Sequence, residues 1–461
     1  MDDLSLARGQ MAFSLGFHII FACISMVMPF YMALAYRKYL KGKNPVDLAL
    51  TRAWSKGAAV LFATGAVSGT ALSFQLGLLW PGFMKHAGPI IGMPFSLEGA
   101  AFFLEAIFLG LFLYGWKLLP PRLHLLMGVM VGVCGFSSGV LVVAANGWMN
   151  APTGFTWTGT EAVDIDPWKA FFNVAWPLQS LHMQIAAFQA TGFGSAGIHA
   201  FSILRGKNRE FHSHALKVIL PLTMVASLLQ PLAGDLSAKA IAQRQPEKLA
   251  AMEAHFQTEK SASLVIGGIV DEEQRRIDYA LKIPGGLSFL AYGDFDAEVR
   301  GVDSFPPGDR PPVAIPHYAF QTMVGLGGLM SLVALFWVFA RWRRPEWLEH
   351  RRFLRVLVLC TPFGILALEA GWTVTEVGRQ PWVIYHVLKT ADAVTPVPGL
   401  GVTFAVLAAL YLCLGTLSFG LLGRLIRGEM MRPHDIPPDG RSPAGGSSQG
   451  STARTASKES A

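Results

Sequence analysis

Long apolar runs of about 18 to 24 residues, parted by short polar stretches, set the pattern of this chain. As a helix rising about 1.5 Å per residue, such a run crosses the ~30 Å hydrocarbon core of a bilayer. The runs predict nine spans, near 13–35, 57–79, 95–118, 124–146, 179–203, 215–234, 318–340, 354–376 and 399–424. The expected fold is therefore all-α, a polytopic membrane bundle of about nine transmembrane helices. Spans 1 to 6 fill residues 1–234, and spans 7 to 9 fill residues 318–431. Residues 235–317 between them make a long loop, whose first part, AKAIAQRQPEKLAAMEAHFQ, reads as an amphipathic helix. Residues 432–461 are rich in Pro, Gly and Ser; they cannot pack a core and are expected to be a disordered cytoplasmic tail.

Charge orients the bundle. Lys and Arg gather after the odd-numbered spans: Arg37, Lys38, Lys41 and Lys43; Lys117 and Arg122; Arg205, Lys207 and Arg209; Arg341, Arg343, Arg344, Arg351 and Arg352; Arg424 and Arg427. The other short loops are poor in both. The positive-inside rule then puts the N-terminus and the long loop outside and the C-terminus in the cytoplasm. Composition agrees with a membrane protein: 52% of residues are hydrophobic and 15% charged, where a soluble domain carries about 25% charged. The net charge of +7 sits in short loops between spans, which argues against a nucleic-acid partner. The start, Met1-Asp2-Asp3, has no basic stretch, so the first run reads as a retained span rather than a signal peptide. Cys23, Cys134, Cys360 and Cys413 each stand alone in an apolar run and read as buried small hydrophobes.

Several polar residues lie at membrane depth. The stretch LALEAGWTVTEVGRQPWVIYHVL, residues 366–388, carries Glu369 and Glu376 seven residues apart, which puts them on one helix face. A carboxylate at bilayer depth costs about 2.5 to 3.5 kcal/mol even on the lenient insertion scale. Two on one face therefore point into a protein interior. The run breaks at Gly378-Arg379-Gln380-Pro381-Trp382, where Arg379 can pair with Glu376. Span 3 repeats the spacing with Glu98 and Glu105. Span 1 holds His18, span 5 holds Gln179, His182 and Gln189, and span 7 begins near Met323. Histidine and methionine are haem ligands, and the acids could ligate an open iron or relay protons. The same set could serve an ion-coupled transporter or channel, and a membrane scaffold without haem also stays open.

The motifs ARGQMAFSLGFH, SFQLG at 73–77, LEGAAFFLEA, NGWMN at 146–150, KLAAMEA at 248–254 and EAGWTVTEVGRQPW follow one another along the chain. With them, from first span to ninth, the chain resembles the larger, haem-carrying subunit (subunit I) of cytochrome bd-type quinol oxidases, and its short loop is like that of the cyanide-insensitive branch. The resemblance implies three haems. His182 and Met323 align with the axial ligands of a low-spin haem b. His18 and Glu369 align with proximal ligands of two high-spin haems, b and either d or b, with Glu98 near the other face. Glu98 and Glu105 align with acids on the proton route to oxygen, and Glu376 and Arg379 join them in the expected catalytic set. Lys248 and Glu253 align with residues linked to quinol oxidation. The family commonly has arginine two residues before the axial methionine; here Gln321 stands there. The implied activity oxidises membrane quinol at the outer face and reduces oxygen to water at a buried high-spin haem. It builds a proton motive force without pumping, in a bacterial inner membrane, beside a smaller subunit II.

Overall fold

Caps and prolines mark where the helices begin. In the computed structural model, which describes residues 2–426, Asp2 accepts from the Ser5 N–H at the head of α1 (Asp3–Gly42). Asn44 does the same for α2 (Pro45–Leu79), accepting from Val46 N. Proline opens α3 (Pro81–Tyr114), α4 (Pro121–Asn150) and the short α5 (Pro167–Phe171), where its missing N–H costs nothing. Then come α6 (Trp176–Leu204), α7 (Arg209–Arg244), α8 (Pro246–Met252), α9 (Gly286–Tyr292) and α10 (Ala314–Arg343). The chain ends in α11 (Arg351–Leu359), α12 (Phe363–Val377), α13 (Thr390–Ala393) and α14 (Leu400–Ile426). The tail expected over 432–461 lies outside the described residues.

Eight helical stretches among the described residues are long and apolar enough to cross a membrane: α1, α2, α3, α4, α7, α10, α11 with α12, and α14. Nine were expected. The remaining one, α6, has 29 residues, but Gln179, His182, Gln184, Gln189 and His199 dilute its apolar character. It lies within the bundle, packed on α7, α4, α11, α12 and α1. Small residues permit that closeness: a Cβ at Gly364 of α12 would strike the backbone of Ala190 on α6.

Two boundaries differ from the pattern in the sequence. The sixth span was expected to end near residue 234, but α7 runs on to Arg244. The break comes at Gln245, which adopts φ −136° and ψ 64° before Pro246, as a residue preceding proline must leave the helical region. The amphipathic helix expected there is thus the end of α7 plus α8. The eighth span is also two helices. Pro362 interrupts it between α11 and α12, and Thr361 Oγ1 donates to the Val358 carbonyl at 2.7 Å, satisfying an oxygen that the break frees.

The segment between α8 and α10 holds two-stranded antiparallel pairs: Leu264–Ile266 with Leu281–Ile283, and Ile269–Asp271 with Arg276–Asp278. Leu249, Met252, Leu287 and Ala291 form a small core there that reaches Val374 of α12 and Phe320 of α10. The segment is thereby docked on one end of the bundle. Cys23, Cys134 and Cys360 are buried as expected, but Cys413 is exposed. It lies on α14, which packs on α1 and α2 and turns an apolar outer face, with Val402, Val406 and Leu412, away from the protein.

Candidate functional site

A cavity of about 440 Å³ opens among α4, α6, α7, α10 and α12, with α8 and α9 at its loop end. His182 enters from the second turn of α6, Met323 from α10, Gln230 and Gly234 from α7, and Gly371 from α12. Glycine makes the room: a Cβ at Gly371 would sit 3.0 Å from Met323 Sδ, and one at Gly234 would touch the His182 ring. Gly327 and Gly328 of α10 continue the small-residue wall. Gln230 Nε2 lies 3.2 Å from His182 Nε2. Gln179 Oε1, Gln189 Nε2 and Gln230 Oε1 are buried here without a hydrogen-bond partner among the described residues. An imidazole and a thioether facing one apolar, glycine-lined space with polar atoms to spare fit a large flat cofactor with polar substituents, such as haem.

The acids of α12 look elsewhere. Glu369 approaches Gly16 of α1, and its Oε1 is buried without a partner among the described residues. Glu376 is fully engaged: Asn146 Nδ2 of α4 donates to Oε1, and Arg379 Nη2 donates to Oε2 at 2.7 Å. Arg379 is buried, and its Nε and Nη1 have no partner among the described residues. Its guanidinium therefore keeps donors for a further acceptor.

His18 and the two acids of α3 do not line the His182 cavity. His18 leans on α2, with Nδ1 3.0 Å from Ser68 Oγ. Glu98 accepts from Ser138 Oγ of α4 at 3.0 Å, and Glu105 is buried against Gly135 of the same helix. Ser138 and Gly135 are three residues apart, so both acids do share a face, and that face is turned to α4.

Lys248 and Glu253, by contrast, line the same cavity as His182 and Met323, at its loop end. Lys248 is 2% exposed, and its Nζ donates to Asn150 Oδ1 at 2.6 Å. Burial, helped by the Arg379 charge and opposed by Glu376 and Glu247, pushes its pKa down to about 7. Burial pushes Glu253 up to about 8, and its Oε2 has no partner among the described residues. Asn150 Nδ2 donates to Asn146 Oδ1 at 3.1 Å, and Asn146 donates to Glu376. One hydrogen-bonded chain thus joins Lys248 to the Glu376–Arg379 pair. The two asparagines stand in the NGWMN motif, four residues apart on one helix face, but their roles do not show in the motif itself. Equally hidden were Gln230 and a cluster in which Tyr385 donates to buried Glu247, with His386 Nε2 3.2 Å from the same carboxylate oxygen. Gln321 ties the loop to α10, donating to the Val265 carbonyl at 2.9 Å and accepting from Gly267 N.

Fold and cavity together define a multi-pass membrane protein with a glycine-lined cavity among its helices. The profile of the family described as cytochrome bd terminal oxidase subunit I matches residues 6–430, and the chain belongs to that family. It is a haem-carrying oxidoreductase subunit of respiratory electron transport. It is similar to a Bacillus subtilis (strain 168) cytochrome bd subunit I whose name gives menaquinol as substrate, at 37% identity over 424 residues, 90% of this chain and 94% of the relative. It is 32% identical to the cytochrome bd ubiquinol oxidase subunit 1 of the same strain, over 95% of this chain and 97% of that one. Among solved structures, the bd oxidase from Geobacillus thermodenitrificans matches with a TM-score of 0.87 and 36% identity, covering 92% of this chain and 98% of the other.

Proposed function

We propose that this chain oxidises a membrane quinol at the bundle end that carries residues 245–313 and serves oxygen reduction to water deeper in the bundle, with a smaller subunit II as its partner. One observation carries the reading: Lys248 and Glu253 line the same cavity as the imidazole of His182 and the thioether of Met323. Haem iron, when bound, supplies the electron acceptors and the position where oxygen binds. His182 and Met323 would hold a low-spin haem b. His18 and Glu369 are assigned to the two high-spin haems, b and either d or b. Spectra of His18→Ala and Glu369→Gln tell which high-spin haem each would hold, and Glu376, engaged by Asn146 and Arg379, stays with the catalytic set.

The protein's own groups handle the protons. Glu253, with a free oxygen and a pKa near working pH, takes a proton from the quinol hydroxyl. Lys248, fixed by Asn150, donates to the quinol oxygen and stabilises the negative charge it develops. Each quinol gives up two electrons and two protons, so two quinols match the four electrons and four protons that turn one oxygen molecule into two waters. Glu105 and Glu98, stacked along α3, pass the incoming protons. The basic residues gather at the bundle end opposite residues 245–313, which supports a bacterial inner-membrane protein with its N-terminus outside and its C-terminus in the cytoplasm. Protons then leave quinol on one side and reach oxygen from the other, so charge is separated without a pump.

A reduced-minus-oxidised visible spectrum of the purified oxidase tests the reading, together with quinol-driven oxygen uptake. Haem b bands and oxygen uptake are expected. A protein with neither would turn the same acids over to an ion-coupled transporter.

A further inference from the structure

His18 on α1 and Ser68 on α2 are fifty residues apart in sequence and 3.0 Å apart in space, Nδ1 to Oγ. Which atom carries the hydrogen follows from the serine. Ser68 Oγ donates to the Thr64 carbonyl at 2.9 Å and lies 3.1 Å from the Gly65 carbonyl. Its one proton is spent within its own helix, and Ser68 is fully buried. Only oxygen lone pairs are left to face the imidazole, so Nδ1 carries the proton. In the neutral ring the free lone pair then belongs to Nε2. The next residue shapes the seat: a Cβ at Gly69 would lie 2.9 Å from His18 Cε1, so a side chain there would drive the ring off α2. On the far side, Tyr411 of α14 donates to the Ser68 carbonyl at 3.3 Å, holding this turn of α2 from a third helix.

We propose that Ser68 is the positioning residue of His18: its hydroxyl oxygen accepts Nδ1–H, locks the tautomer that leaves Nε2 to the metal, and makes that nitrogen the stronger donor. The inference rests on the reading of His18 as a ligand of a high-spin haem. Partners of this kind orient a ligating histidine and raise its basicity, and losing one costs about 10- to 100-fold in metal affinity. Ser68 reaches no substrate and no reacting atom itself; it acts through the imidazole.

The test compares the reduced holoenzyme with Ser68→Ala, Ser68→Thr and His18→Ala, by resonance Raman spectroscopy of the iron–histidine stretch and by haem content. In Ser68→Ala the stretch moves to lower frequency and affinity for the high-spin haem falls about tenfold or more, while the low-spin haem stays. Ser68→Thr, which restores the oxygen, returns both to the parental values. A stretch that is lost in His18→Ala but unmoved in Ser68→Ala overturns the role of Ser68. Loss of the low-spin haem from Ser68→Ala also overturns it, since the hydroxyl would then be serving the packing of the whole bundle. A stretch that survives in His18→Ala removes the ligand reading instead, and the proposal with it.

Discussion

The two sides of α12 handle polarity in opposite ways. Towards α6, α7 and α10, glycines hold the walls apart, and three glutamine side chains end in buried atoms without partners among the described residues. Towards α1 to α4, polar side chains stand singly on small partners: Glu98 on Ser138, Glu376 on Asn146 and Arg379, and, across α1, His18 on Ser68. The first side is shaped to enclose one large object whose rim will satisfy spare polar atoms. The second keeps individual protonatable groups in fixed seats. The first kind of interior suits a group enclosed whole, and the second suits ligands and proton carriers held one at a time.

Breaking the first side should have the largest effect. In His182→Ala the low-spin haem signal is expected to vanish while the protein still inserts. Met323→Leu, nearly conserving volume, should remove the same signal without disturbing packing. An unchanged low-spin spectrum in both variants would erase the contrast. A smaller change is expected on the second side. Glu105→Gln keeps shape and hydrogen bonding but carries no proton; turnover at the oxygen step should fall by about 100-fold with every haem retained. Loss of a high-spin haem in that variant would make Glu105 a structural support rather than a relay. The smallest effect belongs to pH at the loop end of the cavity. Glu253 must be ionised to accept a proton and is so above about 8, whereas Lys248 must be charged to donate and is so below about 7. The kcat/KM for quinol should therefore peak between those values and fall about tenfold per pH unit on either side. Lys248→Arg should flatten the alkaline limb and leave the acid limb in place; an unaltered profile would take Lys248 out of the reaction.

The contrast was only half legible in the sequence. Periodicity put Glu98 with Glu105, and Glu369 with Glu376, on shared helix faces, because spacing alone decides that. It could not say what those faces meet, since Ser138 lies 40 residues from Glu98 and Asn146 lies 230 from Glu376. The apolar run around Pro362 read as one span because hydropathy is blind to a missing backbone donor. The end of α7 was hidden for the opposite reason: polar residues past 234 end the apolar run and read as a separate amphipathic helix, yet they continue the same helix and carry Ala238, Ile241 and Arg244 along the cavity. Lys248 was legible as a residue of a motif, but its burial was not, because the partner of its Nζ, Asn150, comes from another helix.

Gly371 and Glu369 are two residues apart on α12, so they point about 200° away from each other around its axis. One touches the sulfur of Met323, and the other reaches the backbone of α1 at Gly16. One α-helix, about 10 Å through with its side chains, thus parts the Met323 side of the bundle from the α1 side. Its Gly364 is pressed against the backbone of Ala190 on α6, so this partition is a packed backbone cylinder rather than a loop that could swing. A side chain larger than hydrogen at Gly364 would push the whole wall, and both sides would feel it.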